Sequence, residues 1–342
     1  MMGVIKIADV GYAPSYHGKS WNGQIADPGF VPLPSFNPYP GMAFRQQQQD
    51  PNGWSYSFGY PNLISPADVS SSKQGGGATT TTTPAPAIQC GKGPTTLPAS
   101  RSFIGEKILG SGVTTAKANA WPFMVALRKY TVNPILLATG INYDDFCSGT
   151  LISDSKVLLA ATCLEKMSLY EMSGVTVAAG LTINSDTNLP EAQMTRRISK
   201  VVLHGQYNAF TYANDIAILT LDSPLDISRT VGPVCLAPAN AALDQYADQD
   251  AVILGWATTN TLPPFNGLRQ GAVSVSFNSE CKADEIFGKY VTGDNICIIT
   301  STAKKFFCDE DVGGPVVVLS SPGIWTQIGI NSFIKIGYFG ET

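Results

Sequence analysis

From Cys90 onward the apolar positions fall into short runs of strand length, rich in β-branched residues and separated by Gly, Asn, Asp and Pro. Examples are Phe123 to Leu127, Gly149 to Ser153, Lys156 to Ala160, Ile216 to Leu221, Ala251 to Leu254 and Pro315 to Leu319. A helix would need apolar positions recurring every three to four residues over ten or more, and that period is weak throughout. Regular turn punctuation between short β-branched runs predicts an all-β sandwich or barrel of antiparallel strands. No internal repeat is present. No run approaches the roughly 18 to 20 apolar residues that span a bilayer, so no membrane span is expected.

The first 89 residues follow no such pattern. They contain no cysteine, four basic and four acidic residues, and frequent Pro, Gly, Ser, Gln and aromatic residues, including Gln46 to Gln49 and Gly75 to Gly77. Such a segment buries too little aliphatic surface to offset its chain entropy, and a disordered arm over residues 1–89 is expected. It closes with Thr79 to Thr83 and Pro84-Ala85-Pro86, the composition of an extended, O-glycosylatable linker. Aromatics such as Tyr12, Trp21, Tyr39, Trp54 and Tyr60 leave open a second role for the arm as an adhesive segment.

Charge and cysteine usage narrow the class further. The 342 residues carry 22 Lys plus Arg against 26 Asp plus Glu, a net charge of −4, so binding driven by phosphate neutralisation is not expected. All seven cysteines lie from Cys90 onward, in neither a C-x-x-C pair nor a His/Cys zinc spacing. Disulfides are therefore expected rather than metal or cofactor binding, and with them an oxidising, extracellular setting. Met1 to Val10, interrupted by Lys6 and Asp9, does not read as a signal peptide. Only two histidines occur, His17 and His204, which restricts acid-base chemistry.

Four strings, taken in order, carry a resemblance. They are Cys147-Ser-Gly-Thr-Leu-Ile-Ser with Leu158-Leu-Ala-Ala-Thr-Cys163; Asn214-Asp-Ile-Ala-Ile-Leu219; Ile253-Leu-Gly-Trp256; and Cys308-Asp-Glu-Asp-Val-Gly-Gly-Pro315. Together they resemble the trypsin-like (chymotrypsin-fold) serine proteases over about Ile104 to Gly340. The resemblance implies two antiparallel six-stranded β-barrels. It also implies an activation cut between Lys107 and Ile108, with Asp311 receiving the new α-ammonium, and pairs Cys90–Cys235, Cys147–Cys163 and Cys281–Cys297. Another common family bridge has lost both partners, with Ala251 and Val318 at the matching positions. Cys308 is left unpaired, because its family partner and the last strand are missing after Ile334. The second barrel is therefore expected to be truncated, with an open sheet edge, or else to close differently from the family's.

The family's chemistry needs a Ser nucleophile, a His that takes its proton and a buried Asp that orients the imidazole. By the same resemblance the base position is Thr162, the nucleophile position is Val312, and Asp215 alone is kept. Valine has no nucleophilic atom, and a threonine hydroxyl has no protonation step near neutral pH. Glu310 and Val312 stand at the oxyanion-hole positions, and a side chain at Glu310 disfavours the backbone geometry the family gives to glycine. At the specificity-pocket positions Phe306 stands at the base and the family's Ser-Trp-Gly wall reads Ser332-Phe333-Ile334, so Phe306 and Ile334 are expected to pack a core, with filling or blocking of the pocket as the alternative. An orphaned Asp215 needs other donors, and Ser332, Thr162 or backbone N–H groups are expected to supply them.

These residues imply a chain of three parts: the arm 1–89, a propeptide tether and activation site 90–107, and a protease-like domain 108–342. The implied function is that of a non-catalytic serine protease homologue of arthropod type, without the six-cysteine clip domain. It acts as a secreted adaptor or cofactor in an immune or clotting cascade, with proteases or zymogens as partners and no cofactor. An active serine endopeptidase and a matrix or adhesion protein acting through the arm are the alternatives.

Overall fold

The computed structural model describes residues 2–6, 43–50, 53–59, 89–98, 113–131, 142–181, 194–238, 242, 244–256, 267–285, 288–299 and 311–334. Its strands, in chain order, begin with β1 (Met2–Lys6), β2 (Ala43–Asp50), β3 (Gly53–Gly59) and β4 (Val113–Thr115). Next come β5 (Met124–Thr131), β6 (Asn142–Leu151), β7 (Lys156–Leu159), β8 (Thr176–Ala179), β9 (Met194–His204) and β10 (Ala217–Leu221). The last are β11 (Cys235–Leu236), β12 (Asp250–Gly255), β13 (Arg269–Ser276), β14 (Asn295–Ile299), β15 (Pro315–Ser321) and β16 (Ile324–Ile334). Two five-residue helices, α1 (Leu169–Ser173) and α2 (Asn278–Lys282), interrupt them.

The first barrel is the ring β5-β6-β7-β10-β9-β8, closed by pairing of β9 with β10 and of β5 with β8. Alternation builds its interior: in β10, Ala217, Leu219 and Leu221 are buried while Ile218 and Thr220 are partly exposed. Phe123, Val125, Leu127, Leu151, Leu159, Val177 and Ile198 complete that core with no exposed surface. Each such side chain contributes about 1.5–3 kcal/mol by leaving water. The second barrel is the ring β1-β14-β13-β12-β15-β16, closed by β1 against β16. Its core holds Ala251, Ile253, Val273, Val275, Ile298, Val316 and Ile328. Between the barrels, Trp121 meets Trp325 edge-on at 4.7 Å, and its indole N–H donates to Gln270 Oε1 at 2.8 Å.

Two expectations need correction. Residues 2–6, 43–50 and 53–59, assigned to a disordered arm, are strands; β3 pairs with β9, and β2 with β3. A composition this poor in aliphatic residues keeps a segment from forming its own core, but a strand added to an existing sheet needs only main-chain partners and borrows the sheet's core. Residues 7–42, 51–52 and 60–88 of that arm lie outside the described residues. The second barrel also lacks the open edge that truncation would leave and closes differently, because β1 fills that edge and pairs with both β14 and β16.

The three implied disulfides are formed, Cys90–Cys235, Cys147–Cys163 and Cys281–Cys297. Ala251 and Val318, assigned to the lost bridge, face each other as cross-strand partners on β12 and β15. The tether around Cys90 lies on the start of β16: the Gly91 N–H donates to Pro233 O, and the Trp325 N–H donates to Gly91 O. Gly91 has φ +73°, and a Cβ there would collide with Trp325 O and Cys235 Sγ, so glycine is required.

Candidate functional site

Thr162 sits in a single 3₁₀ turn (Ala161–Cys163) directly after β7, and the Cys147–Cys163 disulfide ties that turn to β6. Asp215 follows the loop after β9. There the Asn208 carboxamide accepts the N–H groups of Phe210 and Thr211, and Asn214 takes φ 55°, a left-handed conformation that asparagine tolerates better than most residues. The loop then turns inward and leaves Asp215 with no exposed surface at the start of β10. Ser332 is buried near the end of β16.

These three residues meet. The Thr162 N–H donates to Asp215 Oδ1 at 2.7 Å, and its hydroxyl donates to Oδ2 at 2.5 Å. The Ser332 hydroxyl donates to the same Oδ2, also at 2.5 Å. The expected donors to the orphaned carboxylate are therefore present, one from the backbone and two from side chains. Burial raises the Asp215 pKa above the ordinary carboxylate value, while the Ser332 and Thr162 hydrogen bonds oppose that rise by favouring the charged form.

Beyond Thr162 the chain of polar contacts continues in a way the sequence did not foretell. Tyr207 places its phenol oxygen 3.3 Å from Thr162 Oγ1 and donates to Glu165 Oε2 at 2.6 Å. Desolvation, with the hydrogen bond to Glu165, pushes its pKa well up, so the phenol stays neutral. No motif flags Tyr207 or Glu165; they lie 45 and 3 positions from Thr162, and only the loop fold brings the phenol back. The result is an array from Glu165 through Tyr207, Thr162 and Asp215 to Ser332 that contains no imidazole. His204 is engaged elsewhere: its ring Nδ1 accepts the Gln206 N–H at 3.2 Å, and burial lowers its pKa.

Val312 packs against the first-barrel core, and its carbonyl accepts the Ser148 N–H at 2.9 Å. The following turn is fixed by Gly313, at φ +86°, whose N–H donates to Asn331 O at 2.8 Å. Asp311 is buried beside Gly255, where an added Cβ would strike its carboxylate, so a glycine in β12 makes room for that acid. Lys107, Ile108, Phe306, Cys308 and Glu310 lie outside the described residues, and Ile334 is described only as the end of β16. Among the described residues no cluster of three or more His, Cys, Asp or Glu is placed to hold a metal, and no helix is long and apolar enough to cross a membrane.

Two packed antiparallel barrels, with a buried aspartate between a turn after one strand and the end of another, define the architecture of a trypsin-like protease domain. The trypsin family profile matches residues 111–338, and the chain belongs to that family. It is similar to transmembrane protease serine 11G of Rattus norvegicus, 25% identical over 219 residues, which are 64% of this chain and 47% of the relative. The Mus musculus protein of the same name is 25% identical over 245 residues, 71% of this chain and 52% of the relative. The chain thus spans about half the length of these curated relatives. The three disulfides and the family fit an extracellular or secreted protein.

Proposed function

We propose that this trypsin-family chain is catalytically inactive and works as a secreted binding adaptor or cofactor in a proteolytic cascade. Its partners are other proteins, proteases or zymogens, rather than nucleic acid. The observation that carries this reading is the bonding of Asp215. In an active relative that carboxylate must accept from the imidazole that serves as base. Here its oxygens accept from Thr162 and Ser332, and Tyr207 closes on the far side of Thr162. With Thr162 at the base position and Val312 at the nucleophile position, no proton acceptor active near neutral pH and no nucleophilic atom stand where acyl transfer needs them. By the precedent of a serine protease stripped of its triad, turnover falls by about 10⁶. Cleavage after Lys107 would still alter the surface around Asp311, and it serves as a switch for partner binding rather than for chemistry.

The second reading, an active serine endopeptidase, draws support from the relatives, whose names are those of proteases. A fluorophosphonate probe applied to protein cleaved after Lys107 separates the two. No labelling is expected; stoichiometric labelling of any serine would overturn the adaptor reading.

A further inference from the structure

β1 differs in origin from the other strands of its barrel. Those five are drawn from residues 250–334, whereas β1 is residues 2–6. It pairs antiparallel on both edges. Met2 stands opposite Ile298 and Ile334, Gly3 opposite Cys297 and Phe333, Val4 opposite Ile296 and Asn331, and Ile5 opposite Asn295 and Ile330. A shift between Gly3 and Val4 on the β16 side sets the register. Without β1, β14 and β16 would face each other across a slot one strand wide, each with a row of unpaired N–H and C=O groups. Such a slot takes an extended segment by main-chain pairing, the mode called strand addition.

Among the described residues, the next points along the chain that hold β1 to the barrels are the hydrogen-bonded pairing of β3 with β9 and, beyond it, the Cys90–Cys235 disulfide. A segment tethered from so far along the chain docks as a ligand of high effective concentration, not as a continuation of the neighbouring strand.

We propose that the slot between β14 and β16 is a strand-docking site, that Met2–Lys6 is its occupant, supplied by the same chain as a separable donor strand, and that a free peptide of this sequence exchanges with it. Recognition rests on the antiparallel ladder with both edges and on the Gly3/Val4 register. The bound segment is extended and carries a glycine followed by two aliphatic residues.

Full chain with Cys308→Ser, to remove a competing thiol, is the test protein. Val4 and Asn331 are Cα partners, and the buried Asn331 carboxamide has no hydrogen-bond partner among the described residues, so replacing it breaks no side-chain bond. With Val4→Cys and Asn331→Cys together, mild oxidation is expected to form an intrachain disulfide, read as a faster-running monomer on non-reducing gels and a loss of two thiols. With Asn331→Cys alone, a fluorescent peptide of residues 1–10 bearing Val4→Cys is expected to couple to the protein. Adding Ile5→Pro to that peptide removes a ladder N–H and should reduce coupling about tenfold. A double-cysteine chain that stays reduced while its three native disulfides are intact would overturn the docking. A cross-linked dimer would overturn its same-chain origin, and peptide coupling no better than that of a scrambled sequence would overturn exchange.

Discussion

Replacing Thr162 by valine tests the polar array at its centre. The change keeps the volume but deletes the hydroxyl that donates to Asp215 Oδ2 at 2.5 Å and touches Tyr207. Asp215 has no exposed surface, so water cannot replace the lost donor without opening the turn after β7. A hydrogen bond to a charged buried group is worth about 1.5–3 kcal/mol, and the Ser332 hydroxyl and the Thr162 N–H remain, so a loss of about 2 kcal/mol is expected. For a domain of this size that lowers Tm by about 4–8 °C. In an Asp215→Asn background the same bond joins neutral groups, and its loss should cost only about 1 kcal/mol. Urea unfolding of the four proteins at pH 7, extrapolated linearly, yields both costs and a coupling of about 1 kcal/mol. A cost for Thr162→Val under about 0.5 kcal/mol, or equal costs in the two backgrounds, would refute the claim that this hydroxyl serves a charged Asp215.

The raised Asp215 pKa implies a pH dependence of definite sign: the folded state favours the protonated acid, so this contribution is full below the ordinary carboxylate range and is lost as pH rises through the folded-state pKa. Thermal melts of wild type and Asp215→Asn from acid upward should therefore show wild type losing ground to the variant, and parallel curves would contradict it. Asp145→Ala leaves Arg128, only 1% exposed, without the carboxylate now 2.7 Å from its Nε, and should cost about 3 kcal/mol in urea unfolding. Gly255→Ala drives a methyl into the Asp311 carboxylate and should cost about 1–3 kcal/mol, measured in the same way. A neutral outcome would show that Asp311 moves aside freely.

The two-barrel fold was legible because alternation and motif order are local properties. Strands such as β10, with inward Ala217, Leu219 and Leu221, announce themselves by period, and the cysteine pairs followed from the family resemblance. Thr162, Asp215 and Ser332 were named from motifs, and their convergence on one carboxylate matches what an orphaned buried acid requires. Tyr207 and Glu165 were not foreseen, since their roles depend on how the loop around Asn208 and Asn214 turns back.

What the residues alone decided is the chemistry on offer: two histidines in the whole chain, a valine and a threonine at motif positions, and cysteines in pairing order. Side-chain identity sets which atoms exist, and no fold can add a lone pair that the residue lacks. What only the tertiary structure decided is which distant segments meet. Met2–Lys6 closes a barrel made from residues more than two hundred positions away, and a phenol stands beside Thr162. Main-chain hydrogen bonding carries almost no sequence signature, so a strand that completes a sheet from afar is recognised by the edges it satisfies rather than by its own composition.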